Sequence, residues 1–199
     1  MNSNQNEGIY SCFNWGDAEV FLLDNRFFKS PNDRITGEKV LLGTEQIQWL
    51  IDALVSSKAS FKIIVVGGQV LNTEAVFENY ENYKTEKEQL LNEITTNKIK
   101  GVTFISGDRH FTELSMLKRT NSYSLYDWTV SPLTSGHGNI EKVAKEENKN
   151  RVEGSLFAQH VFGTLSFSGE KEIRQMKLTL FDKDGKELWN KVILKKDLE

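Results

Sequence analysis

The run Val102-Thr103-Phe104-Ile105-Ser106-Gly107-Asp108-Arg109-His110-Phe111 decides how this chain is read. Its first residues are β-branched and aromatic, a short apolar segment of strand length. Gly107 ends it with a residue that lets the backbone turn sharply or approach a ligand closely. An acid and an imidazole then follow, two positions apart. In extended backbone, side chains at i and i+2 point the same way, so Asp108 and His110 are expected to face one point beyond the strand, with Arg109 directed oppositely. Two ligands of a metal ion can be presented in this way. The same spacing also suits a surface turn in which Asp108 caps backbone amides and His110 bonds to a neighbour. The open end of a strand in an α/β sheet is the usual position of a ligand crevice.

Upstream, Ile9–Trp15 and Ala18–Leu23 read as paired strands about the turn Gly16-Asp17. Thr44 is expected to cap a helix over about 44–57, with Ile47, Leu50, Ile51 and Leu54 on its apolar face. Phe61–Val66 is a continuous apolar strand ending at Gly67-Gly68-Gln69, the pattern of a sheet covered on both faces. A second helix is expected over about 83–97, with Leu90, Leu91 and Ile94 inward. This β-α-β-α-β order predicts a sheet built by crossover units. Downstream, Tyr123–Val130 reads as an aromatic strand running into Ser131-Pro132, and Glu141–Arg151 as a solvated loop or short exposed helix. Three alternating runs, Gln159–Phe167, Met176–Phe181 and Glu187–Leu194, predict an antiparallel tail with a hairpin at Asp184-Gly185. The whole of 1–199 reads as one domain, α/β first and β-rich later.

The 199 residues are 38% hydrophobic and 27% charged, enough apolar material for a core. A net charge of −3 gives no electrostatic reason to expect nucleic acid or an anionic membrane as partner. No apolar run approaches the length of a membrane span. The polar start, Met1–Gly8, carries no export-signal pattern, so compartment is left open. The lone cysteine, Cys12, excludes an internal disulfide and a thiolate zinc cluster.

Several segments, in order, resemble the alkaline phosphatase D (PhoD-like) metallophosphatases of the calcineurin-like superfamily. They are Gly8-Ile9-Tyr10, Phe21–Arg26, Leu41–Leu50, Lys62–Val70, Ser106–Phe111 and Trp128–Thr134, spanning Gly8 to about Gly138, with Phe162-Gly163 a looser extension. The resemblance implies hydrolysis of phosphate esters at a two-metal centre, with calcium, iron, manganese or zinc ions as cofactors. It implies a four-layer αββα sandwich of two facing sheets, of which this chain would supply one mixed sheet, its covering helices and the terminal antiparallel hairpin. Asp108 and His110 match the family's late metal motif and are the candidate catalytic and metal-binding residues. Gln69, Arg109 and Arg26 form the candidate substrate side. Each has a plainer reading: Gln69 as a turn residue, Arg109 as a wall of the site, and Arg26, with Asp24, as a loop brace. Family members are usually exported.

The superfamily's early motifs, an Asp-x-His, a Gly-Asp-x-x-Asp and a Gly-Asn-His followed by an acid, do not occur. Gly16-Asp17-Ala18-Glu19-Val20 has valine at the second acid. His137-Gly138-Asn139-Ile140-Glu141 has isoleucine at the imidazole and follows the late motif instead of preceding it. His160 reads as a packed or surface histidine in an alternating strand. Two ligands are short of the three or more a catalytic ion usually takes from protein. The chain is therefore expected to be the C-terminal half of a metallophosphatase, inactive or weakly active alone. The alternative is a non-catalytic binding or assembly module that pairs with a separate N-terminal chain. Either way the inner sheet face should be exposed and prone to self-association.

Overall fold

The computed structural model describes residues 8–199, without the side chain of Glu172. A six-stranded mixed sheet runs β1-β2-β3-β4-β6-β5, and a second, three-stranded antiparallel sheet runs β7-β8-β9. The first comprises β1 (Ser11–Trp15), β2 (Ala18–Leu22), β3 (Phe61–Val65), β4 (Val102–Ser106), β5 (Glu113–Leu117) and β6 (Leu125–Thr129). Strands β2, β3, β4 and β6 are parallel, and β1 and β5 close the two edges antiparallel. The tail forms β7 (Val161–Ser168), β8 (Gln175–Asp182) and β9 (Glu187–Leu194).

Helices α1 (Thr44–Ser56) and α2 (Lys84–Thr96) connect β2 to β3 and β3 to β4. Both crossovers step the same way across the sheet, and right-handed connections then put both helices on one face. That face carries Phe21, Ile64 and Phe104, in register across β2, β3 and β4 and all fully buried. Leu50 and Leu54 of α1 and Leu90 and Ile94 of α2 join them in the core. Each such leucine contributes about 1.5–3 kcal/mol by leaving water.

The cap of α1 differs from the expectation. Gly43, not Thr44, is the N-cap, and no side chain caps it. Instead the buried Glu86 of α2 accepts the amides of Leu41 (2.7 Å), Leu42 (3.1 Å) and Gly43 (2.7 Å). A carboxylate gathers three backbone donors there, and this sets α2 against the start of α1. The stretch 141–151 contains one short helix, α3 (Ile140–Val143), and β5 appears where no strand was expected.

The opposite sheet face is only partly covered. The second sheet packs on it through Phe61–Phe167 (ring centres 5.3 Å) and Trp128–Trp189 (6.5 Å). Gly163 makes the closest approach: a Cβ there would lie 2.5 Å from Cη2 of Trp128. The register puts Phe13, Trp15, Val20, Leu22, Val65 and Ile105 on this same face, toward β1 and the carboxyl ends of β3 and β4. Phe13 is 47% exposed, Trp15 71% and Leu22 38%. These apolar side chains form an exposed strip on that face.

Candidate functional site

The carboxyl ends of the parallel strands are tied into one rim by backbone hydrogen bonds. Leu23 donates to Val65 (2.9 Å), Val66 to Ile105 (3.0 Å), Gly107 to Gly67 (3.0 Å) and Val130 to Ser106 (2.9 Å). A cleft of about 450 Å³ opens beside this rim, lined by Leu22, Asn25, Val65, Gly67, Ile105 and Gly107 among others. Gly67 lets the Asn25 carboxamide lie close against the backbone: a Cβ there would sit 2.6 Å from Nδ2 and displace it.

Asp108 and His110 stand at this rim and both are exposed. The backbone is not extended, as the spacing had suggested. Asp108 (φ 66°) and His110 (φ 57°) are both left-handed, with the Arg109 amide donating to the Gly107 carbonyl at 2.8 Å. Asp and His tolerate this region better than most residues, yet each such residue costs on the order of 1–3 kcal/mol and persists only where its surroundings impose it. Neither side chain has a hydrogen-bond partner among the described residues, and the Asp108 carboxylate acts on Arg26 through its charge.

Arg109 imposes the turn. It points into the protein and is 8% exposed. Its guanidinium donates to Gln69 Oε1 (2.7 Å), Asn79 Oδ1 (3.2 Å) and Glu146 Oε1 (2.6 Å), and lies between the rings of Phe77 and Phe111 at 5.2 and 4.9 Å. Gln69 is fully buried too. Its Oε1 also accepts from Asn72 (2.9 Å), and its Nε2 donates to Glu113 (2.8 Å) and Thr129 (2.9 Å). A carboxamide offers two donors and two acceptor sites, so Gln69 has none left for a substrate. The substrate contact expected of Gln69 and Arg109 is replaced by a brace beneath the Asp108–His110 turn.

That brace rests on Glu113, which the sequence did not single out. The carboxylate is fully buried and accepts from Gln69, Asn72 (3.0 Å), Asn148 (2.8 Å) and Nε of Arg151 (2.5 Å). Beside it the buried Asp127 accepts the amides of Val70 (2.7 Å) and Leu71 (2.9 Å) and the hydroxyl of Ser106 (2.7 Å). Burial raises the Asp127 carboxyl above its usual range despite those donors. Neither acid faces the rim. Glu113 holds the loop after β3 to the segment 148–151 after α3, and Asp127 holds the same loop to the end of β4.

Arg26 remains accessible, its side chain 63% exposed, and pairs with Glu78 at 2.6 Å. Glu78 holds the Arg26 guanidinium further above its ordinary value, with a smaller contribution from Asp108. Asp24 has the bracing role that its position allowed. It accepts the amides of Ile9 (3.1 Å), Arg26 (2.8 Å) and Phe27 (3.1 Å). Burial pushes its carboxyl up, but these donors bring it below the usual value.

A carboxylate and an imidazole with free lone pairs fit hard to borderline divalent or trivalent ions. Among the described residues no group of three or more His, Cys, Asp or Glu side chains is placed to hold one.

A solved structure of PhoD superposes on the chain with a TM-score of 0.65 at 19% sequence identity, a likeness of fold. The match covers 94% of this chain and 40% of that one, so the chain spans about two-fifths of its length. No curated protein matches the chain. The model of the PhoD-like phosphatase family matches residues 1–177, most of the sequence from its first residue to the middle of β8, and the chain belongs to that family.

Proposed function

We propose that this chain supplies the late ligand pair of a metal-dependent phosphoric ester hydrolase, with Asp108 and His110 binding metal and Arg26 meeting the phosphate. The observation that carries the reading is the strained turn at the end of β4. Two left-handed residues project an unpartnered carboxylate and imidazole to solvent, while the residue between them is anchored inward by three side chains and two rings. Strain of this kind is retained where geometry at a site demands it. Metal ions of this class activate a water and neutralise charge on the phosphoryl oxygens. The chain's own contribution is to hold the two ligand atoms rigidly, present the Arg26 guanidinium to phosphate oxygens, and wall the site with the Arg109 brace.

Two ligands need companions. The exposed apolar face carrying Phe13, Trp15 and Leu22 is suited to a second sheet, and the companion ligands would arrive with the polypeptide that covers it. The same face supports a second reading, in which the chain is an assembly module whose partner carries the chemistry. Hydrolysis of p-nitrophenyl phosphate and of bis-p-nitrophenyl phosphate, with metal content, separates the two. The assays are run on the chain alone and co-expressed with a polypeptide bearing the family's early ligand motifs. Activity in the combined sample that His110→Ala abolishes supports the first reading. Activity indifferent to His110→Ala and Asp108→Ala overturns it.

A further inference from the structure

Phe77 combines two features that core packing does not explain. Its backbone is left-handed, with φ 49°, a strained conformation for a bulky aromatic residue. The residue is also 80% exposed, so no burial of the ring offsets that strain. The loop after β3 holds it there. The Asn79 amide donates to the carbonyl of Val76 at 3.1 Å, the Asn82 side chain donates to that of Phe77 at 3.0 Å, and the Asn79 side chain to that of Glu74 at 3.0 Å.

A run of contacts places Phe77 at the rim. The Gly107 amide donates to Gly67, and the next residue, Gly68, lies under the Glu78 carbonyl so closely that a Cβ there would be 2.7 Å from its oxygen. The Tyr80 amide donates to the Gln69 carbonyl at 2.8 Å. The side chains agree with the backbone. Glu78 holds Arg26 at 2.6 Å, and the Phe77 ring centre lies 5.2 Å from the guanidinium carbon of Arg109. Phe77 is thus tied to both arginines of the site, to Arg109 directly and to Arg26 through its neighbour Glu78. A cation held over one face of a ring draws electron density toward itself and leaves the other face suited to stacking on a planar aromatic group.

We propose that Phe77 is a substrate-binding residue whose free face stacks on a planar aromatic group of the phosphate ester while Arg26 meets the phosphate. The proposal rests on the hydrolase reading above and adds the class of ester that the site prefers.

NMR titration of the isotope-labelled full chain with phenylphosphonate and with methylphosphonate, neither of which is hydrolysed, tests it. Phenylphosphonate should bind about fivefold more tightly, the increment of one exposed aromatic pair, and its ring current should shift the Phe77 signals. That preference should vanish in Phe77→Ala, with methylphosphonate affinity unchanged, and return in Phe77→Tyr. Phe77→Gly, which suits the left-handed backbone, takes the place of the alanine variant if that one fails to fold. Arg26→Ala should weaken both ligands alike. Equal affinities in the unaltered chain, or a preference that survives Phe77→Ala, overturn the proposal and leave the hydrolase reading standing where both ligands still depend on Arg26. No binding of either ligand, or binding indifferent to Arg26→Ala, overturns the phosphate contact itself and the proposal with it.

Discussion

Replacing Glu113 by glutamine changes charge and donor pattern without opening a cavity. One carboxylate oxygen accepts from three side-chain amides, those of Gln69, Asn72 and Asn148, and the other from Nε of Arg151. A carboxamide has a single oxygen. With it turned to the three amides, its NH₂ abuts the Arg151 guanidinium, donor against donor. A hydrogen bond to a charged group is worth about 1.5–3 kcal/mol, and removing one partner of a buried ion pair costs about 3–5 kcal/mol. The Arg151 side chain is 16% exposed and keeps longer contacts to the carbonyls of Val143 (3.2 Å) and Ala144 (3.5 Å). The lower end of that range therefore applies, about 3 kcal/mol. For a chain of this size that corresponds to a fall in Tm of roughly 6–12 °C. Urea unfolding followed by circular dichroism should show a lower midpoint at an unchanged slope. Arg151→Met alone should cost a similar amount, and the double variant less than the sum of the two. A Glu113→Gln loss under about 1 kcal/mol, or strict additivity with Arg151→Met, would refute the claim that this pair anchors the network beneath the turn.

Arg109→Lys keeps the charge but loses the planar fork that reaches Gln69, Asn79 and Glu146 together. About 1–3 kcal/mol of stability should go, with faster amide exchange over 107–112, and unchanged exchange there would count against the brace. Gly163→Ala drives a Cβ into Trp128 and should cost about 1–3 kcal/mol by overpacking, visible as a lower Tm and altered tryptophan fluorescence. Asp17, bonded to Arg174, and Asp24, which binds three amides despite its burial, both have folded-state carboxyls held below their unfolded values. Their contribution is present above the unfolded pKa, about 3.9, and is lost as pH falls through the folded values. Asp24→Asn should therefore flatten the acid limb of a stability–pH curve, and an unchanged limb would contradict the assignment. The exposed sheet face predicts self-association in gel filtration that Phe13→Ser with Trp15→Ser reduces; a clean monomer of the unaltered chain would tell against that face as a docking surface.

The central elements were legible because their signals are local. Leu50 and Leu54 recur at helical spacing, Phe61–Val65 and Val102–Ser106 are apolar runs of strand length, and Gly107 closes β4 where the rim begins. Strand β5 was missed because Glu113 and Ser115 break its apolar pattern. Both are polar and buried, and they find partners in Asn148 and Arg151, more than thirty positions away. The cap of α1 escaped for the same reason, since its acceptor is a glutamate on another helix.

Sequence alone determined that a carboxylate, an arginine and an imidazole follow a central strand in a PhoD-like pattern, because covalent order and apolar periodicity fix what can sit at a strand end. Tertiary structure decided what each residue does there. Arg109 and Gln69 are drawn inside because Asn72 and Asn79 of the loop after β3, Glu113 of β5 and Glu146 beyond α3 converge on them, and a buried charge is stable only where such partners meet it. That convergence forces the left-handed turn that turns Asp108 and His110 out to solvent, and spacing along a chain carries no record of it.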